Sequence, residues 1–529
     1  DTSESDNKLE SEASPAESGE GLKEQSDPDE TQTELVAAAS QLLESVGMCL
    51  ASGYQRTSVV LLGQLLQAAH HARANGLHWP AAAALRVYEG VRRLRTESKD
   101  ADEESLRRDM LTLITSAHMI ENQTAGWTSR VGTARRKYEP YPQAMRLDGV
   151  FAEPILTDSG YAGMVVYLIS DSGDWFTVSD VRLGGAERLQ NVWKGGIAIG
   201  KQTVPAAELI GCRMLIRGGA SADGRLGLGQ KSEMALSHRE DLKSESVSKW
   251  LDTDFATQMN RVFANQQIPD LARPANWDLV GLRVEVLGAQ GVYLIVRRTG
   301  DGVVMPFGIW SEDDNLEYRR NLQRLAAVPG MLLNVVARFD FSRPDCLFPL
   351  AIAPCDVAPE TETSHDNTDS DAAQGKLPRP ELRIPESQTG CWSLGWQRLQ
   401  PDNFSRTEPP VVLDPQEKRL VEFDRQPLAR RLAAMLQGGH RVIPDASSDH
   451  LQIESATYLE AWQVTAASIL MELSTASAMI RAAETRTETR EAIKRLTELW
   501  VAGEIWSQTQ RMMSASEHWL SPDGTTAVD

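Results

Sequence analysis

Aromatic and basic side chains occur together in two separate parts of this sequence, and together they could bind single-stranded nucleic acid. Proteins of that kind combine cations, which contact phosphates, with aromatic faces on which bases stack. The six candidate ligand-binding residues are Trp175, Arg182 and Arg213 in the first part and Tyr293, Arg297 and Arg298 in the second. The alternative is that the rings fill cores and the arginines pair with surface carboxylates. A folded part of nearly neutral charge favours this alternative.

Three other groups of residues resemble catalytic or metal sites but lack the necessary spacing. The glycine-rich residues 224–231 do not end in the Gly-Lys-Ser/Thr of a phosphate-binding loop. His71 and His78 are seven residues apart, without a nearby acid, which does not suit a helical metal site. Residues 448–450 read Ser-Asp-His, but no nucleophile-elbow motif accompanies them. We therefore predict no catalytic residue, no metal, no cofactor and no enzyme. An active site composed of distant residues stays open as an alternative, because it would leave no local motif.

The net charge of -20 is concentrated in two acidic segments. Residues 1–30 carry eleven acids and two lysines, and residues 356–390 carry eight acids and three bases. These segments hold -14 of the charge, so the remaining chain is close to neutral and an anionic ligand is not excluded. Five scattered cysteines without a CxxC pair, and the absence of any fully apolar run of membrane-spanning length, predict a soluble cytoplasmic protein with no membrane partner. The acidic, Ser- and Glu-rich start reads as an interdomain linker, which would make this chain a piece of a longer polypeptide.

A repeated pattern near the middle of the chain predicts two related β modules. Residues 147–156 alternate in polarity and lead to Tyr-Leu-Ile at 167–169, and residues 279–287 lead to the same tripeptide at 293–295. Each copy continues with turn residues, another strand, a helical stretch and a closing strand. Five or so short strands with a helix between the third and the fourth are the plan of an OB-fold.

The fold class that follows is α+β and multidomain, with an N-terminal helical bundle, two related small β-barrel (OB-like) modules and a C-terminal helical hairpin. In the bundle, Leu35 to Leu50 show helical spacing, Gly53 offers a stop and Pro80 opens a third helix. The hairpin is predicted as helices over 456–481 and 485–512. The predicted domains are a disordered acidic linker (1–30), a helical bundle (31–122), a first β module (145–230), a helical connector (231–275), a second β module (276–355), a second disordered acidic linker (356–390) and a mainly helical C-terminal domain (391–520).

Three short stretches look like a known bacterial family. The stretches Gly160-Tyr-Ala-Gly163, Thr177-Val-Ser-Asp-Val-Arg182 and Ala220-Ser-Ala-Asp-Gly-Arg-Leu226 resemble the region downstream of the zinc finger in bacterial SWIM zinc-finger proteins. The Cys-x-Cys and Cys-x-His ligands of the finger are absent from this chain, so no metal residue is carried over. The resemblance implies a binding or adaptor component.

These observations lead to two functional hypotheses. The first is a non-enzymatic adaptor or scaffold that binds a protein partner through tandem β modules and helical ends. The second is single-stranded nucleic-acid binding by the paired OB-like modules through the six residues above. The sequence does not identify the partner or the oligomeric state.

Overall fold

A computed structural model describes most of the chain outside the acidic segments. It covers residues 28–98, 101–133, 136–141, 143–157, 160–237, 245–266, 268, 272–355, 379–385, 391–407, 411–413 and 426–520. The predicted linkers 1–30 and 356–390 fall outside the described residues, except for 28–30 and 379–385. Residues 28–30 form the start of the first helix, and Leu382 is buried and bridges to Phe404. These ends of the two segments therefore belong to folded structure.

The N-terminal region is helical, as predicted. Its helices are α1 (Pro28–Ser52), α2 (Val59–Ala74), α3 (His78–Arg95), α4 (Glu103–Glu121) and the short α5 (Thr128–Val131). The Ser58 hydroxyl accepts from the amide of Leu61 and the Asp102 carboxylate from that of Ser105, so both side chains cap helix starts. Residues 32–52 are long and apolar enough to cross a membrane, but half of the apolar window is buried inside the helical core. This burial explains the hydropathy of α1.

The first β module forms a five-stranded antiparallel sheet in the order β4-β3-β2-β7-β9. Its elements, with a short strand before it, are β1 (Glu139–Pro140), β2 (Met145–Leu156), β3 (Tyr161–Ser170), β4 (Trp175–Leu183), α6 (Glu187–Gly195), β5 (Ile197–Ile199), β6 (Gln202–Val204), α7 (Ala206–Leu209), β7 (Arg213–Arg217), β8 (Gly219–Ala220) and β9 (Glu233–Ser237). Strand β1 pairs with β8, and β5 pairs with β6.

The second β module follows two helices and forms a sheet in the order β12-β11-β10-β13-β14-β15. The elements are α8 (Glu245–Leu251), α9 (Phe255–Asn265), β10 (Leu279–Gln290), β11 (Tyr293–Arg298), β12 (Val304–Phe307), α10 (Tyr318–Leu325), β13 (Leu332–Phe339), β14 (Leu347–Pro354) and β15 (Trp392–Ser393). Strand β15 comes from the region that the sequence assigned to the C-terminal helical domain. It adds an edge strand to the second sheet instead.

The two sheets share one strand order. In each, the third, second, first, fourth and fifth long strands lie side by side, and a helix follows the third strand. One parallel bridge joins Phe307 to Leu347 in the second module, and another joins Thr177 to Arg225 in the first. The mixed helix-and-sheet architecture is as predicted, although single bridges of this kind do not by themselves establish a closed barrel.

The C-terminal region is helical, but its helices differ from the prediction. They are α11 (Pro427–Gly438), α12 (Asp449–Glu460), α13 (Val464–Ala482) and α14 (Arg486–Leu520). The single helix expected over 456–481 is wrong, because the chain breaks at Trp462, whose φ is +59°. The predicted turn near 483–488 coincides with the joint between α13 and α14.

The two ends of the chain share one hydrophobic core. Helices α1–α4 pack with α11–α14, while both sheets, α8 and α9 form a second core that also contains Trp519 at the end of α14. At the junction of the ends, a Cβ on Gly439 would lie 2.2 Å from the Ala51 carbonyl oxygen, so only glycine allows this backbone approach. The predicted bundle and hairpin are therefore parts of one helical unit, and α14 connects it to the sheets.

Candidate functional site

The six residues predicted to bind a ligand do not line one groove. Trp175 is buried, and its ring centre lies 4.8 Å from that of Trp250 in α8, at an angle of 62°. This edge-to-face contact packs the first sheet against the connector helix. Trp175 therefore has no free face for a base.

Each of the four candidate arginines already has an acidic partner. The Arg213 guanidinium binds both oxygens of Asp148, at 2.8 and 3.0 Å. The other three pair as Arg182 with Asp180, Arg297 with Glu285 and Arg298 with Asp301. Arg298 also lies over the Phe255 ring, 4.1 Å from its centre. A phosphate would have to displace these carboxylates, so the structure gives the four side chains the alternative role of ion-pair partners.

Tyr293 lines a small cavity of ≈ 360 Å³ in the second module. Its hydroxyl donates to Asp345 at 3.0 Å, and burial, followed by the charge of Asp345, raises the pKa of Tyr293. Arg319 and Arg343 line the same cavity. Tyr293 is thus a protonated phenol in a mainly apolar cavity, separate from Arg297 and Arg298, which do not line it.

A buried ion cluster joins the two β modules. Arg338 of β13 binds Glu153 of β2 through two hydrogen bonds, at 2.5 and 2.9 Å, and donates to the Tyr167 hydroxyl at 3.0 Å. Its Nε lies 2.7 Å from an oxygen of Asp278, and its guanidinium is 4.5 Å from the Trp310 ring centre. We call Arg338, Glu153, Asp278 and Tyr167 the interface cluster.

The electrostatics of the interface cluster favour one fixed arrangement. Burial by itself would lower the pKa of Arg338, but Asp278 and Glu153 outweigh it and raise the pKa. Burial raises the pKa of Asp278, and Arg338 opposes that rise. Separating the modules would leave charges without partners in an apolar environment, which is strongly unfavourable. The cluster therefore sets the relative orientation of the two sheets.

A segment after the second acidic region reinforces the same interface. The Ser393 hydroxyl accepts from the buried amide of Ala152 in β2 at 3.0 Å, while Ser393 itself pairs with β14. Asn321 of α10 donates to the carbonyls of Leu394 and Gln397, at 2.7 and 2.8 Å. Residues 392–397 thereby contact both modules.

Sequence reasoning missed the interface cluster, although a signal was present. Glu153 interrupts the apolar run 150–156, and Arg338 interrupts 335–339. A charged residue inside an otherwise buried strand needs a partner of opposite charge. One acid in a buried strand of the first module and one base in a buried strand of the second could have suggested a pair.

The corner between α12 and α13 exposes a group of large apolar side chains. Trp462 is 89% exposed, and Leu459 and Val464 are 52% and 58% exposed. Tyr458 anchors the corner to the rest of the helical core. Its hydroxyl accepts a hydrogen bond from the amide of Leu428 at 2.9 Å, and its ring contacts Trp506. We call Leu459, Trp462 and Val464 the Trp462 corner.

The helical core contains its own buried ion pair. Arg107 of α4 donates to Glu504 of α14 at 2.7 Å and to the more exposed Glu104. The other carboxylate oxygen of Glu504 has no hydrogen-bond partner among the described residues. Burial raises the pKa of Glu504 to about 7, even though Arg107 opposes the rise.

Within the ranges given above, no group of three or more His, Cys, Asp or Glu side chains is placed to hold a metal ion. Cys49 and Cys346 are buried thiols, and burial raises the pKa of each to about 12, so neither thiol is a ready nucleophile.

Comparison of the chain with protein-family models, with curated proteins and with solved structures gave no match. The likeness to the SWIM-associated region thus stays a prediction from three short stretches of sequence.

Proposed function

We propose that this chain is a non-enzymatic cytoplasmic adaptor that holds a protein partner at the Trp462 corner and carries two β modules as a rigid platform. The observation that carries the proposal is the exposure of Trp462 in a backbone conformation that is unfavourable for a residue with a β-carbon. An unfavourable backbone conformation persists only where surrounding contacts hold it in place, and such positions concentrate at functional sites.

The composition of the corner suits a protein partner. Tryptophan is enriched among the residues that dominate binding energy in protein interfaces, because it buries a large rigid area. Leu459 and Val464 flank it and would extend the buried area. The anchor at Tyr458 means that the corner needs little ordering on binding, which lowers the entropic cost of association.

We further propose that each β module is a small OB-like barrel. The shared strand order, the helix after the third strand and the bridges at Phe307 and Thr177 support this assignment. The buried thiols of Cys49 and Cys346 suit the reducing cytoplasm.

Single-strand binding by the paired modules through the six predicted residues has less support. Four of the six are arginines with carboxylate partners, and Trp175 is buried. A cationic groove that tracks a phosphate backbone needs charges that are not already neutralised.

The adaptor proposal is tested by comparing two exposed apolar positions, one at the corner and one within α12. Affinity capture from a native lysate, followed by quantitative mass spectrometry, is carried out with the wild-type chain, Trp462→Ser and Ile453→Ser. Ile453 is 64% exposed on α12 and lies outside the corner, so it is the matched control. We expect at least one protein to be retained by the wild type and by Ile453→Ser and to be lost with Trp462→Ser.

An identical set of captured proteins for all three chains would overturn the corner as the partner site. Sedimentation of the wild type at several concentrations tests whether the Trp462 corner binds a second copy of this chain instead. Concentration-dependent dimerisation that Trp462→Ser abolishes would replace the adaptor role by self-association.

A further inference from the structure

An open pocket lies beside the first β module, at the end where β1 pairs with β8. Its volume is ≈ 690 Å³, and its lining includes Tyr138, Tyr141, Arg217, Lys231, Gly227 and Gly229. We call it the Tyr138 pocket. It lies within the size range of small-molecule sites and uses none of the six residues predicted from the sequence.

The walls of the pocket are held by the backbone. The amide of Gly227 donates to the Gly219 carbonyl at 2.8 Å, and the amide of Tyr141 donates to the Gly218 carbonyl at 2.9 Å. The Ser232 hydroxyl donates to the Gly227 carbonyl at 2.6 Å. These bonds tie the loop before β9 to β8 and to the segment of the two tyrosines, so the concavity exists before any ligand arrives.

Two tyrosine rings present partly open surfaces in the pocket. Tyr138 and Tyr141 are 41% and 39% exposed. Tyr138 packs against the backbone of Gly227, where an added Cβ would come within 3.2 Å of the ring. The edge of Tyr141 meets Phe176, with ring centres 6.0 Å apart. Each ring is therefore supported from behind and accessible from the pocket.

The charges of the lining favour an anion. Among the residues that the structure describes, Arg217 and Lys231 are the charged side chains that line the pocket, and no carboxylate lines it. Among the described residues Lys231 has no ion-pair partner, and Arg217 has a 3.6 Å contact with Glu233 in which both side chains are more than 70% exposed. Exposed pairs of this kind contribute little energy, so Arg217 can turn to a stronger acceptor.

We propose that the Tyr138 pocket binds a nucleotide unit, with the base against a tyrosine ring and the phosphate at Lys231 and Arg217. Bases stack on aromatic side chains whatever their sequence, and cations contact the phosphate. A free nucleotide and a single strand of nucleic acid share this chemistry. The proposal does not rest on the adaptor role, because the pocket and the Trp462 corner lie on different elements.

The loop between the fourth and fifth strands of the second module spans only 340–346, whereas the first module uses 218–232. The shorter loop contacts Trp519, whose indole donates to the Pro344 carbonyl at 2.8 Å and whose ring contacts Phe339. Arg343 of this loop lines the smaller cavity of ≈ 360 Å³ at Tyr293, so the two modules differ in the size of the cavity beside this loop.

Fluorescence anisotropy on the full chain tests the pocket with two probes, a labelled oligothymidylate and a labelled adenosine monophosphate. We expect Tyr138→Ala to weaken binding by about tenfold or more and Tyr138→Phe to leave it within about twofold, because stacking needs the ring and not the hydroxyl. Circular dichroism confirms that each variant is folded. Binding of the oligothymidylate alone would identify a strand as the ligand, and binding of both probes would identify the nucleotide unit itself.

Two further sets of variants test whether binding depends on the positive charge of the pocket. Lys231→Ala should reduce the slope of log affinity against log salt for the single strand by about 0.7, whereas Lys201→Ala, an exposed lysine outside the lining, should leave it unchanged. A Cβ on Gly229 meets open space. Gly229→Glu should therefore abolish binding without unfolding the chain, while Gly229→Ala should retain it.

The proposal is overturned if neither probe binds at low salt. It is also overturned if folded Tyr138→Ala and Gly229→Glu both bind as the wild type does.

Discussion

The helical core and the β core each contain a buried arginine paired with carboxylates. The two sites differ in how completely the buried glutamate is hydrogen-bonded. In the interface cluster, both oxygens of Glu153 accept hydrogen bonds from Arg338, which also contacts Tyr167 and Asp278, although its Nε makes an ion-pair contact and no hydrogen bond among the described residues. In the helical core, Glu504 uses one oxygen for Arg107 and leaves the other without a partner among the described residues. A buried carboxylate whose two oxygens both accept hydrogen bonds is less costly to keep charged than one with an unpaired oxygen.

This difference assigns different roles to the two clusters. The interface cluster orients the two sheets and depends on its charges being present. The pair in the helical core joins α4 to α14 and lies close to its titration point at neutral pH. The contact between the chain ends should therefore depend on pH more strongly than the contact between the two sheets.

The largest expected effect comes from Arg338→Met. The substitution leaves Glu153 and Asp278 buried together without a cation, and removal of one partner of a buried pair costs about 3–5 kcal/mol. The free energy of unfolding in urea, followed by tryptophan fluorescence, measures the loss. Arg297→Met is the control, since its exposed pair with Glu285 should contribute under about 1 kcal/mol. Equal losses for the two variants would mean that the interface cluster does not hold the modules together.

A smaller and pH-dependent loss is expected from Arg107→Met. Without the cation, Glu504 avoids a buried charge by taking up a proton, which is easy at about pH 5.5 and costly at about pH 8. We expect a loss of about 1 kcal/mol at the lower pH and about 3 kcal/mol at the higher. Urea unfolding at both pH values measures the difference. The same loss at both would contradict the incomplete network.

The next effect in size is the loss of pH dependence in Glu504→Gln. Because its folded pKa of about 7 exceeds its ordinary value of 4.5, the stability that Glu504 contributes is fully present below 4.5 and is lost as the pH rises through 7. Relative to Glu504→Gln, the wild type should lose about 2 kcal/mol between these pH values. Glu472→Gln, at an exposed carboxylate of α13, should follow the wild type. Parallel curves for the wild type and Glu504→Gln would refute a titration at this position.

The smallest effect concerns the segment that supports the interface cluster. Ser393→Ala removes the acceptor of the buried Ala152 amide and should cost about 1–2 kcal/mol. Hydrogen exchange of that amide should accelerate in the variant. Ser172→Ala, in an exposed turn, should leave both the stability and the exchange of Ala152 unchanged. An unaltered exchange rate in Ser393→Ala would show that residues 392–397 do not stabilise the contact.

Local pattern predicted some elements well and others poorly. The four N-terminal helices follow from apolar residues at helical spacing. The repeat at 147 and 279 indicated two sheets with one strand order, which the pairing shows. The break at Trp462 was missed because its neighbours are good helix formers and no proline or glycine marks the site.

The candidate site was the least predictable part. Trp175 and the four arginines were selected by residue type, but residue type does not reveal whether a ring is buried or a guanidinium is paired. Tyr138, Tyr141 and Lys231 come together because β1 pairs with β8 and the loop before β9 folds back on both. Such contacts join residues about 90 positions apart, and no local rule specifies them.

The sequence alone determined the kinds of element, the duplication of the β module and the concentration of charge in two acidic segments, because period, composition and turn residues act over a few positions. Only the tertiary structure decided that the chain ends share one core, that Arg338 meets Glu153 and that Trp519 packs on the short loop of the second module while the longer loop of the first lines the Tyr138 pocket. The physical reason is that burial and ion pairing depend on which distant surfaces meet, and many arrangements of the same elements would satisfy the local preferences equally well.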